Sequence, residues 1–343
     1  MQVTTIGLDL AKHWFQVHGV DAGGQVAIRR KLRCSEVIGF FKSLSPCLVG
    51  IEACATAHYW ARQLVALGHK VKLMPPAYVK AYVKRNKNDA ADAEAICEAV
   101  TRPGMRFVPV KDAERQSVLV LHRVRSLLVR QRTMLANASR AHMAEFGIIA
   151  PQGLRHVEDL TTIIAHEGER LPELARSILQ TVVDQLNDTI LRTREIEARL
   201  AKWHRQSPLS QMLATIPGVG IMGASAIAAT VIDSSLFKSG REFAAWLGMT
   251  PRQNSSGGKE RLGRTSKRGD KYIRSLLIAG AIAVLRHARN RPARDGEWVR
   301  GLLARKPTKV AAVALANKTA RIVRAVMVRG DGYRAKAVLG QPA

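Results

Sequence analysis

The sequence predicts an α/β N-terminal domain followed by an all-α remainder, and three observations support this. Short strand-like runs alternate with helical ones over roughly the first hundred residues. From residue 112 onward, apolar residues recur at the three- and four-residue spacing of helices. Charge divides along the same line. The chain carries +27 over 343 residues, and 21 Lys and Arg against 5 Asp and Glu between Arg252 and Arg334 give that segment +16 of the total.

Residues 3–9 (Val-Thr-Thr-Ile-Gly-Leu-Asp) read as a buried strand ending on Asp9. Residues 13–20 form a second strand, Asp21-Ala-Gly-Gly24 a hairpin turn, and Gln25 to Leu32 the returning third strand. A helix (35–44), a strand (47–52) closing on Glu52, a helix (57–67) and a strand (69–73) follow, and Pro75-Pro76 ends the unit. This β-β-β-α-β-α-β order is the RNase H-like arrangement. A further helix from about Asn88 to Thr101 carries Asp89 and Asp92.

Residues 112 to about 146 predict a long helix with Val118, Leu121, Val124, Leu128 and Leu135 as its apolar stripe. After a Gly/Pro break at 147–153, a second helix is expected from about Pro172 to His204, with Ile178, Val182, Leu186, Ile190, Ile196 and Leu200 facing inward. The two read equally well as a coiled-coil-like pair, within or between subunits, and as an ordinary helical spacer. The third region opens at Ile216-Pro-Gly-Val-Gly220, passes through a Gly/Ser-rich polar loop at 250–269, and ends in helical segments at 272–285 and 309–328. Three domains are expected: 1–111, 112–205 and 206–343.

A cationic surplus of this size calls for a polyanionic partner, since phosphate neutralisation releases counterions. A membrane surface is the rival, but no basic helix with a bulky apolar face is visible. The uncharged stretch 206–232 contains Pro208, Pro217 and several Gly, so it reads as turn-containing structure and not as a membrane span. Cys34, Cys47, Cys54 and Cys97 match no zinc spacing and read as buried, reduced thiols of a cytoplasmic protein. No signal peptide is expected, because Asp9 and Lys12 interrupt the first apolar run.

In so basic a chain, four acids at strand ends and on one helix point to divalent metal working on phosphates. Asp9 and Glu52 close neighbouring strands, while Asp89 and Asp92 share a helix face at i and i+3. All-oxygen donors suit Mg²⁺, with Mn²⁺ as a substitute, and carboxylates of this kind can hold metal in phosphoryl transfer. Ser256, next to Gly257 and Gly258, offers a hydroxyl that phosphate can approach. Arg252, Lys259, Arg261, Arg264, Lys267 and Arg268 surround it with positive charge. Gly218 and Gly220 resemble the glycines of a helix-hairpin-helix turn, whose backbone N–H groups meet a DNA phosphate. Each feature also has an ordinary reading: turn residues, a solvated helix face, or a flexible polar loop.

Gly7-Leu-Asp9-Leu-Ala-Lys12, Ile51-Glu52-Ala, Lys87-Asn-Asp89-Ala-Ala-Asp92-Ala, Ile216-Pro-Gly-Val-Gly220 and Thr250-Pro-Arg252 with Ser256-Gly257 occur in one order. Together they make the chain similar to the DEDD-type transposases of bacterial insertion sequences, relatives of the Piv DNA invertases. The resemblance implies a RuvC-like N-terminal domain with Asp9, Glu52, Asp89 and Asp92 as Mg²⁺ ligands. It also implies a C-terminal transposase domain whose serine joins covalently to DNA, at Ser256 with Ser255 as the neighbouring alternative. Donor and target DNA, a structured noncoding guide RNA, and a homodimer assembling into a tetramer follow as partners, with the acids of one subunit meeting the serine of another. After Glu52 the chain departs from the common Glu-Ala-Thr-Gly pattern, reading Glu-Ala-Cys-Ala-Thr-Ala. The reading is therefore a DNA recombinase. Its rivals are a RuvC-like junction nuclease that uses water as nucleophile and a non-catalytic nucleic-acid-binding protein.

Overall fold

A computed structural model describes residues 2–83, 88–153, 156, 157, 159–167, 170–290 and 296–334. The chain divides into two compact units, Met1–Glu114 and Arg115–Ala343.

The first unit is built on β1 (Thr5–Leu10), β2 (Trp14–Val20), β3 (Val26–Arg33), β4 (Leu48–Glu52) and β5 (Lys70–Met74), in the order β3-β2-β1-β4-β5. β1–β2 and β2–β3 pair antiparallel, and β1–β4 and β4–β5 pair parallel. The parallel crossovers run through α1 (Val37–Lys42) and α2 (Ala57–Ala66), so the element order is the expected one. Asp21 accepts the Gly23 and Gln25 N–H groups at 2.9 Å and so fixes the first hairpin turn. Phe15, Val17, Leu32, Ile51 and Leu64 fill the core on the α1/α2 side. Pro76 does not simply end the unit. It starts the short helix α3 (Pro76–Val79), since a proline at the first helical position loses no intrahelical hydrogen bond.

The opposite face of the sheet is covered by α4 (Asp89–Val100). Asn88 caps this helix by accepting the Ala91 N–H at 2.8 Å. Gly7 allows the contact: a methyl group there would overlap the Ala93 carbonyl and the Cys97 amide, both backbone. Gly50, its partner across the β1–β4 ladder, lies under Val100 in the same way. Gly7→Ala should therefore force α4 off the sheet and cost several kcal/mol, on the order of a severe overpacking substitution. Solubility and far-UV circular dichroism of the variant measure this.

The second unit begins with α5 (Ala113–Ala144), followed by α6 (Asp159–Glu167) and α7 (Glu173–Gln206). α6 lies in the segment between the two expected helices, where the sequence pattern had marked none. α5 and α7 pack antiparallel: Val118 clusters with Leu200, Arg125 bonds Glu197 at 2.6 Å, and Ala136 and Met143 share a core with Leu179, Val183 and Leu186. The expected stripes need correction. Ile178 is 59% exposed and Val124 is at the surface, while Leu179, Val183, His122 and Ser139 are buried. The buried seam of α5 (118, 122, 125 and onward) includes polar residues that have their own partners, so counting apolar residues alone selects the wrong stripe.

A second core joins α8 (Pro208–Ala214), α9 (Ile221–Thr230), α10 (Gly240–Trp246), α11 (Lys271–Asn290), α12 (Gly296–Arg305) and α13 (Thr308–Arg329). Its polar pin is His122, with Tyr272 Oη 3.0 Å from one ring nitrogen and Ser225 Oγ 3.1 Å from the other. Burial, followed by the nearby Arg125 charge, pushes the His122 pKa down to about 4. Tyr272→Phe leaves a buried ring nitrogen without its partner and should cost about 1–3 kcal/mol, read as a shift in urea midpoint. Among the described residues no helix is long and apolar enough to cross a membrane. All four cysteines are free, but only Cys47 and Cys97 are buried. Cys34 and Cys54 sit at the surface just after β3 and β4, Cys34 at the start of a short 3-10 helix, which corrects the expectation of four buried thiols.

Candidate functional site

The acids are placed by the same two glycines. Side chains at i and i+2 of a strand share a face, so Asp9 lies on the α4 side with Gly7, and Glu52 with Gly50. β1 and β4 are in register through Leu8–Ile51, which puts Asp9 and Glu52 side by side one residue further on. α4 runs against β1. Cys97 Sγ lies 3.8 Å from the Thr5 carbonyl, and Ala93 lies over Gly7. Two strand residues advance roughly 6.5 Å and four helix residues roughly 6 Å, so the next step from Gly7 to Asp9 meets the turn holding Asp89 and Asp92.

Electrostatics agree with this placement. The Asp9 pKa is pushed up to about 6, chiefly by burial and then by the charges of Asp92, Asp89 and Glu52, against a backbone hydrogen bond that lowers it. Asp92, Asp89 and Glu52 thus each act on Asp9, near the N-terminus of α4, whose dipole favours anions. As they stand, no group of three or more His, Cys, Asp or Glu among the described residues is close enough to hold a metal ion. The donor chemistry nevertheless suits Mg²⁺: hard carboxylate oxygens, with an excess of negative charge that a cation would relieve. Lys87, part of the same motif, lies outside the described residues.

The serine lies in the second unit. The polar segment at 250–269 is not a loop throughout, as expected, but holds a hairpin of β6 (Pro251–Gln253) and β7 (Leu262–Thr265). Asn254 N–H donates to the Arg261 carbonyl, and Ser256 and Lys259 form the last bridge. Between them Gly257 and Gly258 have φ of 55° and 75°, the left-handed pair of a type I′ turn. The two serines differ. Ser255 Oγ accepts the Arg261 N–H at 3.2 Å. The Ser256 hydroxyl is exposed and makes no hydrogen bond among the described residues. By strand alternation Ser256 shares a face with Lys259 and Arg261. Arg252, Arg264, Lys267 and Arg268 are exposed nearby. The hairpin base is fixed where Gly248 and the Arg268 backbone touch and Lys267 N–H donates to the Gly248 carbonyl.

Gly218 and Gly220 have different roles. Gly218, at φ 83°, abuts Gly280 of α11 backbone to backbone, a packing role. Gly220 is exposed, precedes α9 and has open space around it.

Residues 6–148 match the IS110-type DEDD family model described as "Transposase", and residues 210–295 match "Transposase IS116/IS110/IS902 family". The chain is 50% identical over 336 residues to the "Probable family 20 transposase" of Pseudomonas aeruginosa, covering 97% of this chain and 99% of that one. It is 40% identical over 331 residues to the "Transposase for insertion sequence element IS1328" of Yersinia enterocolitica, covering 96% and 98%. The "Pilin gene-inverting protein" of Moraxella bovis is 27% identical over 244 residues, covering 67% of this chain and 65% of its own.

Proposed function

Because this chain belongs to the IS110 family of DEDD transposases and is related to the pilin gene-inverting protein, we propose that it cuts and rejoins DNA through a serine–DNA intermediate. In this reading residues 1–111 are an RNase H-like, RuvC-like domain, 112–205 a helical linker and 206–343 the transposase domain. Asp9, Glu52, Asp89 and Asp92 hold Mg²⁺ or Mn²⁺. A divalent ion bound there supplies a Lewis acid that stabilises charge on the scissile phosphate. What supports the reading is the raised pKa of Asp9, pushed up first by burial and then by the charges of the other three acids, at the strand end that the start of α4 meets.

Ser256 Oγ attacks phosphorus, forming a Ser–O–P bond as one P–O bond of the DNA breaks, and the proton lost by the serine hydroxyl balances the one gained by the departing deoxyribose oxygen. One phosphate ester replaces another, so rejoining needs no external energy source. Lys259 and Arg261 on the same hairpin face, with Arg252, Arg264, Lys267 and Arg268 nearby, stabilise the charge that builds on the phosphate. A noncoding bridge RNA selects donor and target DNA, and the working assembly is a homodimer that pairs into a tetramer in the bacterial cytoplasm. Supercoiled DNA carrying the element ends, incubated with RNA and Mg²⁺ and run on a denaturing gel, tests this. Protein-linked DNA is the expected product. Free ends alone would indicate water as the nucleophile, as in a junction nuclease, and intact DNA would indicate a binding protein.

A further inference from the structure

Three cations on the edge strand extend the acid row across the sheet. The register aligns Asp9 with Gln16 and Gln16 with Lys31, and one step away Gly7 with His18 and His18 with Arg29. Directly paired residues share a face, so Lys31 and Arg29 lie on the same side of the sheet as Asp9. Trp14 pairs with Arg33 and continues that face. Lys31 and Arg33 both lie over the Trp14 ring, at 5.0 and 5.3 Å from its centroid, whereas Arg30 lies over Phe40 on the opposite side. Arg29, Lys31 and Arg33 are exposed and form no ion pair among the described residues. Trp14 remains 41% exposed despite its two cations.

We propose that Arg29, Lys31 and Arg33, with Trp14, form a track for the unpaired DNA strand whose phosphate is delivered to the Asp9 end of the sheet. Alternate residues of a strand stand roughly 6.5–7 Å apart, close to the step between successive phosphates of an extended nucleic-acid strand. Three cations at that repeat meet three phosphates, and the exposed indole gives a base a surface on which to stack. Lys31 is level with Asp9 and two strands away, roughly 10 Å, so a chain that leaves the track there and crosses the sheet reaches the carboxylates within about two phosphate steps. DNA is the occupant because the track runs alongside the acids, with Lys31 level with Asp9, to which the proposed cleavage of DNA is assigned, and the inference rests on that reading.

The test uses full-length protein in EDTA, where cleavage is off, with single-stranded DNA oligomers and RNA oligomers of the same sequence followed by fluorescence anisotropy against salt. Neutralising three contacts, in the triple variant Arg29→Gln, Lys31→Gln, Arg33→Gln, should lower the slope of log K against log salt by about 2, at about 0.7 per single-strand phosphate. With 5-iodouracil in the DNA, crosslinks should map to the Trp14 peptide. Trp14→Ala should weaken binding and Trp14→Phe should restore it. An unchanged slope with crosslinks outside residues 14–33 overturns the track, and a slope that falls only with RNA overturns its assignment to DNA. Adduct formation separates this inference from the one it rests on. A triple variant with unchanged binding and undiminished adduct sinks the track alone, while a wild-type protein that binds through the track yet forms no adduct sinks the serine chemistry alone.

Discussion

Asp9→Asn should abolish DNA strand cleavage while making the metal-free protein more stable above pH 6. The loss follows from removing the most central carboxylate of the four. If these acids hold the ion, its share of transition-state stabilisation is several kcal/mol, and losing about 4 kcal/mol costs about a thousandfold in rate. The gain in stability follows from linkage. The pKa of Asp9 is about 6 in the folded protein against 3.8 unfolded, so between those values the folded state binds the extra proton. Stability therefore falls as pH rises through that window and stays lower above it. The full shift corresponds to at most about 3 kcal/mol, and less once partial solvent exposure is allowed for. Asparagine mimics the protonated acid, so variant and wild type should melt alike near pH 4 and diverge by several degrees at pH 7.5. His122 titrates in the opposite sense, but it is present in both proteins and cancels from the difference. Mg²⁺ at pH 7.5 should raise the melting temperature of wild type more than that of the variant. Equal melting at both pH values would show that folding does not raise the Asp9 pKa.

Ser256→Ala should remove the covalent protein–DNA product altogether, whereas Ser255→Ala should lower its yield without eliminating it. Only one of these hydroxyls is without a hydrogen bond among the described residues. Ser255 Oγ already accepts the Arg261 N–H, so its loss loosens the hairpin by about 1 kcal/mol. Ser256 stands at the first position of the type I′ turn, exposed, with Lys259 directly across. Deleting a nucleophile typically costs on the order of 10⁴–10⁶ in rate. Both variants should bind DNA as wild type does, since neither carries charge. A gel in which Ser255→Ala, and not Ser256→Ala, erases the adduct would reverse the assignment.

Much of the first unit was legible because local and global signals agree there. Alternating strands, an Asp-Ala-Gly-Gly turn and strand-terminal acids each determine one element. The signal that went unread was the repeat Gly7-Leu-Asp9 and Gly50-Ile-Glu52. In the first, a glycine that admits α4 is followed two residues later by an acid near the start of the helix; in the second, the same spacing sets Glu52 on the neighbouring strand beside Asp9, without reference to any family. The second unit was less legible. The seam of α5 is laid out by His122 and Arg125, whose partners Tyr272, Ser225 and Glu197 are far away in sequence, and by Ser139, which bonds back to Leu135, so hydrophobic periodicity pointed to Val124 instead. α6 and α12 are short and their faces are defined only by the helices they meet. The serine segment looked like loop because Ser, Gly and Lys have low strand propensity. Its order comes from two positive-φ glycines and backbone bonds, which composition does not reveal.

Anomalous diffraction from crystals soaked in Mn²⁺ would locate the ion among the four acids. A peak is expected about 2.2 Å from an Asp9 carboxylate oxygen and from at least one of Glu52, Asp89 and Asp92. Ordered density for those four side chains at saturating Mn²⁺, with no peak among them, would contradict it.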